Sequence, residues 1–201
     1  MLFRSQHPVV IADGHHRYAI SRTYRDENPQ LKDAGSTLCY INELIDEQLS
    51  VAAIHRLYSE VEIGLLLKQL EKFFDITDLP SLTAEIIAKM SQNNHLTFVA
   101  PNGQAKSLKP RPEMFTGVRN LDSVFLEHAL ADLKKSVSYQ HGFTEVTAQL
   151  KTGKYAAAIL IRPVSVSEIQ RTAAEGMLMP PKSTFFTPKL QTGLVIRQIA
   201  N

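Results

Sequence analysis

Val9-Val10-Ile11-Ala12-Asp13-Gly14-His15-His16-Arg17-Tyr18 sets the reading of this chain. An apolar run stops at Asp13-Gly14, two histidines and an arginine follow at once, and the next residues, to Glu27, contain neither Gly nor Pro. That order predicts a strand over His7–Ala12, a tight turn, and a helix over about His16–Glu27. At such a junction the N–H groups of the first helical turn lack intrahelical partners and lie at the positive end of the helix dipole, so an anion binds there readily. Arg17 can add a forked contact to phosphate or carboxylate. His15 and His16 can donate hydrogen bonds or move protons near neutral pH. The plain alternative is a polar turn with an exposed helix start.

Outward from this stretch, strands and helices interleave. Thr37–Leu44, Leu49–Tyr58, Phe74–Thr77, Leu96–Ala100, Gln104–Leu108 and Gly193–Ile199 read as strands, with Pro101-Asn102-Gly103 as a hairpin turn. Tyr155–Ile161 is a continuous apolar run and reads as a central strand buried on both faces. Ser59-x-x-Glu62 and Ser165-x-x-Glu168 read as capping boxes. Helices are expected after each box, over Ser81–Asn93, after Asp122 as a cap, and over Thr144–Lys151, while Tyr139–Gly142 reads as a break. The expected class is α/β, a mixed sheet with flanking helices, in which the motif strand, the Tyr155 strand and the last strand share one sheet. The 201 residues suit one domain, with residues 60–143 as an added α/β lobe.

Composition excludes some functions. The net charge of +2 is too small for broad electrostatic binding, which argues against nucleic acid. The single cysteine, Cys39, permits no internal disulfide and fits a reducing, cytoplasmic setting. Its apolar neighbours Leu38, Tyr40 and Ile41 predict a buried, inert thiol. No apolar stretch approaches the roughly 20 residues of a membrane span. Adjacent histidines rarely reach one metal together, and the chain has no His-x-x-x-His pair, which argues against zinc.

Two further polar motifs stand out. His55-Arg56 is a second His-Arg pair at a strand end, read either as an anion clamp or as a solvent-facing pair. Lys182-Ser183-Thr184 follows two prolines that stiffen its loop, and no acidic side chain occurs after Glu175. The motif suits an anion but is no P-loop, since no Gly-rich approach precedes the lysine; a linker lysine is the plain alternative.

Ile11–Tyr18, with its Ala-Asp-Gly-His-His-Arg-Tyr core, resembles the matching motif of the family catalogued as domain of unknown function 1015. His55-Arg56, Met179-Pro180-Pro181-Lys182-Ser183-Thr184 and Pro188-Lys189-Leu190 extend the resemblance over essentially the whole chain. More distantly, Asp13-Gly14-His15-His16-Arg17 is similar to the phosphate-contacting motif of the ParB/sulfiredoxin superfamily, whose members include nucleotide-binding and ATP-using proteins.

These resemblances imply a nucleotide- or phosphate-binding protein and, more finely, a small-molecule phosphotransferase. Asp13, Gly14, Arg17, His55, Arg56, Lys182, Ser183 and Thr184 would hold phosphates, and His15 or His16 would transfer a proton. The implied cofactor is ATP, ADP or another nucleotide with Mg2+, with Asp13 as a metal ligand. A non-enzymatic nucleotide-gated binding module and an inactive truncated remnant are the alternatives. Family members carry a large N-terminal portion before the motif, so the resemblance implies the C-terminal part of a longer protein. A strand left bare at Val9–Ile11 would then self-associate or await the missing segment.

Overall fold

The computed structural model describes residues 9–41, 43, 45, 50–80, 82–187, 189, 193, 196, 198 and 199. The chain divides into two compact units, one of residues 1–50 and 186–201, the other of residues 51–185.

The larger unit is built on a six-stranded sheet. Its strands are β2 (Ile54–Ser59), β3 (Phe74–Leu79), β4 (Leu96–Val99), β5 (Ala105–Pro110), β6 (Ser136–His141) and β7 (Ala157–Leu160), in spatial order β3-β5-β4-β7-β2-β6. A separate two-stranded sheet pairs β1 (Ser50–Ala52) with β8 (Phe185–Thr187). The α/β class with flanking helices is as expected, but the large sheet is antiparallel at every pairing, where parallel neighbours were also expected. The reason is topological. Helix α2 (Ile63–Leu70) does link β2 to β3, but it carries the chain to the far edge of the sheet, so these successive strands are not neighbours. Strand β7 takes the central place its apolar run predicts, between β4 and β2.

Period-two alternation along the inner strands builds a core on each face. On β7, Ala157 and Ile159 join one cluster with Tyr58, Leu66, Leu70, Phe98, Phe125 and Leu130. Ala158 and Leu160 join the other with Leu57, Val99, Val146 and Leu150. Helices α2 and α4 (Asp122–Ala129) supply the first cover, and α5 (Phe143–Lys151) the second. Covering both faces explains why β7 is apolar at each position rather than alternating with polar residues.

The caps show which local signals hold. Ser165 Oγ accepts from Glu168 N–H at 3.2 Å and opens α6 (Val166–Ala174), as its box predicts. The first box is displaced: Glu62 itself caps α2, accepting from Gly64 N–H at 3.2 Å. Helix α3 is confined to Ala84–Ala88, capped by Thr83, and is much shorter than the expected Ser81–Asn93.

Two strand expectations and one expected break fail. Val9–Ala12 is irregular, with Val9, Val10 and Ile11 exposed, and belongs to no strand. An extended apolar run becomes a strand only where a ladder satisfies its N–H and C=O groups. Residues 37–41 and 43 are likewise not in a strand, and Cys39 is exposed rather than buried. Conversely, Tyr139–Gly142 is no break, because β6 runs through Ser136–His141 as the edge partner of β2. The expected strand Gly193–Ile199 falls largely outside the described residues.

In the smaller unit, α1 (His15–Glu27) follows the expected turn and stops at Asn28 before Pro29. No described helix is long and apolar enough to cross a membrane.

Candidate functional site

Gly14 makes the turn into α1. It is the N-cap residue in the left-handed conformation, φ 90°, which Gly adopts without the cost a Cβ imposes. The first intrahelical bond runs from Tyr18 N–H to Gly14 C=O at 3.0 Å, so the N–H groups of His15, His16 and Arg17 precede the helical ladder. No side chain caps this end among the described residues, and the first turn carries no acid. Arg17 folds back over the turn: a Cβ placed on Gly14 would stand 2.9 Å from its Nη2. Asp13 Oδ2 lies 3.6 Å from Arg17 Nη2 and 3.3 Å from Lys189 Nζ. His15 and His16 are exposed at the helix start. The smaller unit thus holds Arg17 and Lys189 at the Asp13 carboxylate, next to a helix start with uncapped backbone donors and two exposed imidazoles. Among the described residues no group of three or more His, Cys, Asp or Glu is arranged to hold a metal.

The other motifs lie in the larger unit. His55 and Arg56 are neighbours on β2 and so point to opposite faces of the sheet. His55 is buried, and its Nδ1 accepts the Ile161 N–H at 3.2 Å, which places its proton on Nε2. Burial, with Arg56 and His141 nearby, lowers its pKa to about 4. Neither side chain faces solvent as the plain reading of the pair supposes. Arg56 is 3% exposed, its Nη1 donates to Ile54 C=O, its guanidinium sits 5.0 Å from the centre of the Tyr139 ring, and its Nη2 finds no hydrogen-bond partner among the described residues. Burial pushes the Arg56 guanidinium below its ordinary value.

Lys182 is exposed and takes a left-handed φ of 58°, uncommon for a side chain with a Cβ. Ser183 is 2% exposed, and its Oγ lies 3.2 Å from Ser123 Oγ on α4. Ser123 and Arg56 line the same cavity of about 210 Å³. The structure therefore brings Arg56 and Ser183 to the neighbourhood of one helix, α4, and Thr184, next to Ser183 in the chain, is half-buried.

Sequence reasoning names Asp122 and Glu168 only as capping residues and misses the ion pairs they make. Asp122 is the first residue of α4, and Leu121 rather than Asp122 occupies the cap position. The Asp122 carboxylate accepts from Arg162 N–H at 2.8 Å and from Arg162 Nε at 3.0 Å. On the outer side, Arg119 Nε meets Glu168 Oε1 at 2.8 Å, and Arg171 holds the same carboxylate, depressing its pKa. The Asp122–Arg162 and Arg119–Glu168 pairs join residues 40 and 49 positions apart, which no local pattern reveals; only Arg171–Glu168, at i,i+3, is local.

Comparison with solved structures shows the fold. A conserved hypothetical protein from Pyrococcus furiosus aligns over 88% of this chain and 69% of its own, with 14% identity and TM-score 0.53. A free serine kinase in complex with AMP aligns over 88% and 66%, with 15% identity and TM-score 0.54. A variant of free serine kinase in complex with ADP gives 15% identity and TM-score 0.50. The chain spans about two thirds of the length of these structures. No curated protein matches its sequence. Residues 1–124, well over half the chain, do match the family model described as Protein of unknown function (DUF1015), and the chain belongs to that family.

Proposed function

We propose that this protein binds a nucleotide through its phosphates at the Gly14 turn and serves as a phosphotransferase acting on a small molecule. The observation that carries the reading is the start of α1: a left-handed glycine, uncapped first-turn N–H groups, and Arg17 folded over the same turn. Backbone donors at a helix start match phosphate oxygens, and a guanidinium supplies the charge. The solved structures with AMP and ADP on a similar fold support a nucleotide as the ligand.

Asp13 would hold Mg2+ carried by the nucleotide in exchange for its contacts with Arg17 and Lys189, since magnesium is commonly bound by one or two carboxylates together with phosphate oxygens. When bound, the metal would neutralise phosphate charge. His15 or His16 would take or give the proton of the acceptor, and Arg17 would hold charge on the transferred group. Lys182 and Thr184, in the larger unit, are proposed as further phosphate contacts. The distant ParB/sulfiredoxin-like reading of the motif belongs to this proposal and rests on Asp13–Arg17 alone. Exposure of both histidines favours a second reading, nucleotide binding without transfer, since phosphoryl transfer gains from excluding water.

Calorimetric titration with ATP, ADP and AMP, with and without Mg2+, tests the binding. Arg17→Ala is expected to cost about 1.5–3 kcal/mol of affinity, the scale of a hydrogen bond to a charged group. Equal affinities for the wild type and Arg17→Ala would remove Arg17 from the phosphate site. Product formation with small hydroxyl acceptors separates the transferase from the binding module.

A further inference from the structure

We infer that the cavity beside Arg56 is a binding site for the carboxylate of a small molecule of amino-acid size. The site follows from strand and helix periodicity. Arg56 and Tyr58 are two apart on β2 and share a face, and register pairs them with Tyr139 and Val137 on β6. Ser123, Leu126 and Glu127, three and four apart on α4, turn one helix face onto that pair of strands. The cleft holds about 210 Å³, below the roughly 300 Å³ at which drug-sized pockets begin. That volume suits a small organic acid better than a nucleotide. The proposal therefore stands apart from the Gly14 site.

The guanidinium selects the ligand's chemistry. A buried polar group is nearly always hydrogen-bonded, and a buried charge left unpaired is costly. Arg56 is 97% buried by its 3% exposure, and its Nη2 makes no hydrogen bond among the described residues. The Lys135 ammonium on the same wall is already donating to Leu130 C=O and, at 3.2 Å, to Leu133 C=O. Glu127 adds a negative charge to the wall. Two cations and one carboxylate leave a single positive charge to be matched, which suits a monoanion. A phosphate dianion would overshoot that charge and meet repulsion from Glu127. An ammonium elsewhere on the ligand would find Glu127 favourable, so amino acids are included in the class.

The test is thermal unfolding of the full chain with millimolar acetate, glycolate, glycine and L-alanine, against acetamide, ethylene glycol and inorganic phosphate. A ligand of the native state raises the midpoint by mass action. The expected result is a shift with the carboxylates that the amide and the diol do not give. Arg56→Lys, which keeps the charge without the fork, should weaken binding by roughly tenfold or more, and Val137→Phe, which fills the cavity, should abolish the shift. The wild-type panel decides the matter even if a variant fails to fold. No shift with any carboxylate, a larger shift with phosphate, or an unchanged shift in Val137→Phe would each overturn the proposal. Loss of nucleotide affinity in Arg17→Ala with carboxylate shifts intact would separate the two sites.

Discussion

Asp122→Ala lowers the unfolding free energy by about 3–5 kcal/mol, the cost of leaving one member of a buried ion pair without its partner. The Asp122 side chain is 4% exposed and that of Arg162 is 17% exposed, so water can compensate for little of the loss. Arg162 follows β7 in the chain and Asp122 begins α4, so the pair fastens the helix to the end of the central strand. The carboxylate also sits at a helix N-terminus, where a negative charge is favoured. Urea unfolding at neutral pH measures the effect as a lower midpoint with an unchanged slope. The double variant Asp122→Ala/Arg162→Ala should cost less than the sum of the single variants, because it removes both charges. A loss below about 1 kcal/mol for Asp122→Ala would place the pair with ordinary surface ion pairs instead. The same anchor sets the position of Ser123 and Glu127 one and five residues later, so the variant should also blunt the response to small carboxylates.

Hydrophobic pattern makes some elements of this fold legible and hides others for the same reason. Tyr155–Ile161 declares itself because β7 is buried on both faces, and burial on both faces demands an apolar residue at every position. β6 conceals itself because it is an edge strand. Its sequence Ser-Val-Ser-Tyr-Gln-His is half-exposed, and its ladder with β2 supplies what propensity does not. Val9–Ala12 misleads in the opposite direction, being apolar yet outside any ladder. Antiparallel order is likewise invisible locally, since it depends on where the chain returns after α2.

The site shows a similar division. Gly14 and Arg17 are adjacent in sequence, so their meeting at a helix start can be read from the chain. The cavity wall cannot. Arg56 is conspicuous beside His55, but its burial depends on register with Tyr139, 83 positions away, and on α4 covering that face. Ser183 reads as part of a phosphate-suited loop, whereas its hydroxyl meets Ser123 across 60 positions. Residue type points to these side chains; only the fold says which face they occupy.

His55 makes stability fall with acid in a way a substitution can isolate. The folded state holds its imidazole neutral, with a pKa of about 4 against an ordinary value of 6.5. Desolvation is the chief cause, followed by the Arg56 guanidinium and then His141. A lowered folded pKa means that the unfolded chain binds the proton first as pH falls. The contribution is therefore fully present above pH 6.5, is lost between 6.5 and about 4, and is constant below that. At 1.36 kcal/mol per pKa unit, the whole loss is about 3 kcal/mol. His55→Asn retains a side-chain acceptor for the Ile161 N–H without a group that titrates in this range. The difference in unfolding free energy between wild type and His55→Asn, followed from pH 7 to pH 4, cancels the carboxylates common to both. Wild type should lose about 3 kcal/mol relative to the variant across that interval. A difference that stays constant with pH would mean that His55 titrates alike in both states, and that its burial against β7 does not hold the imidazole neutral.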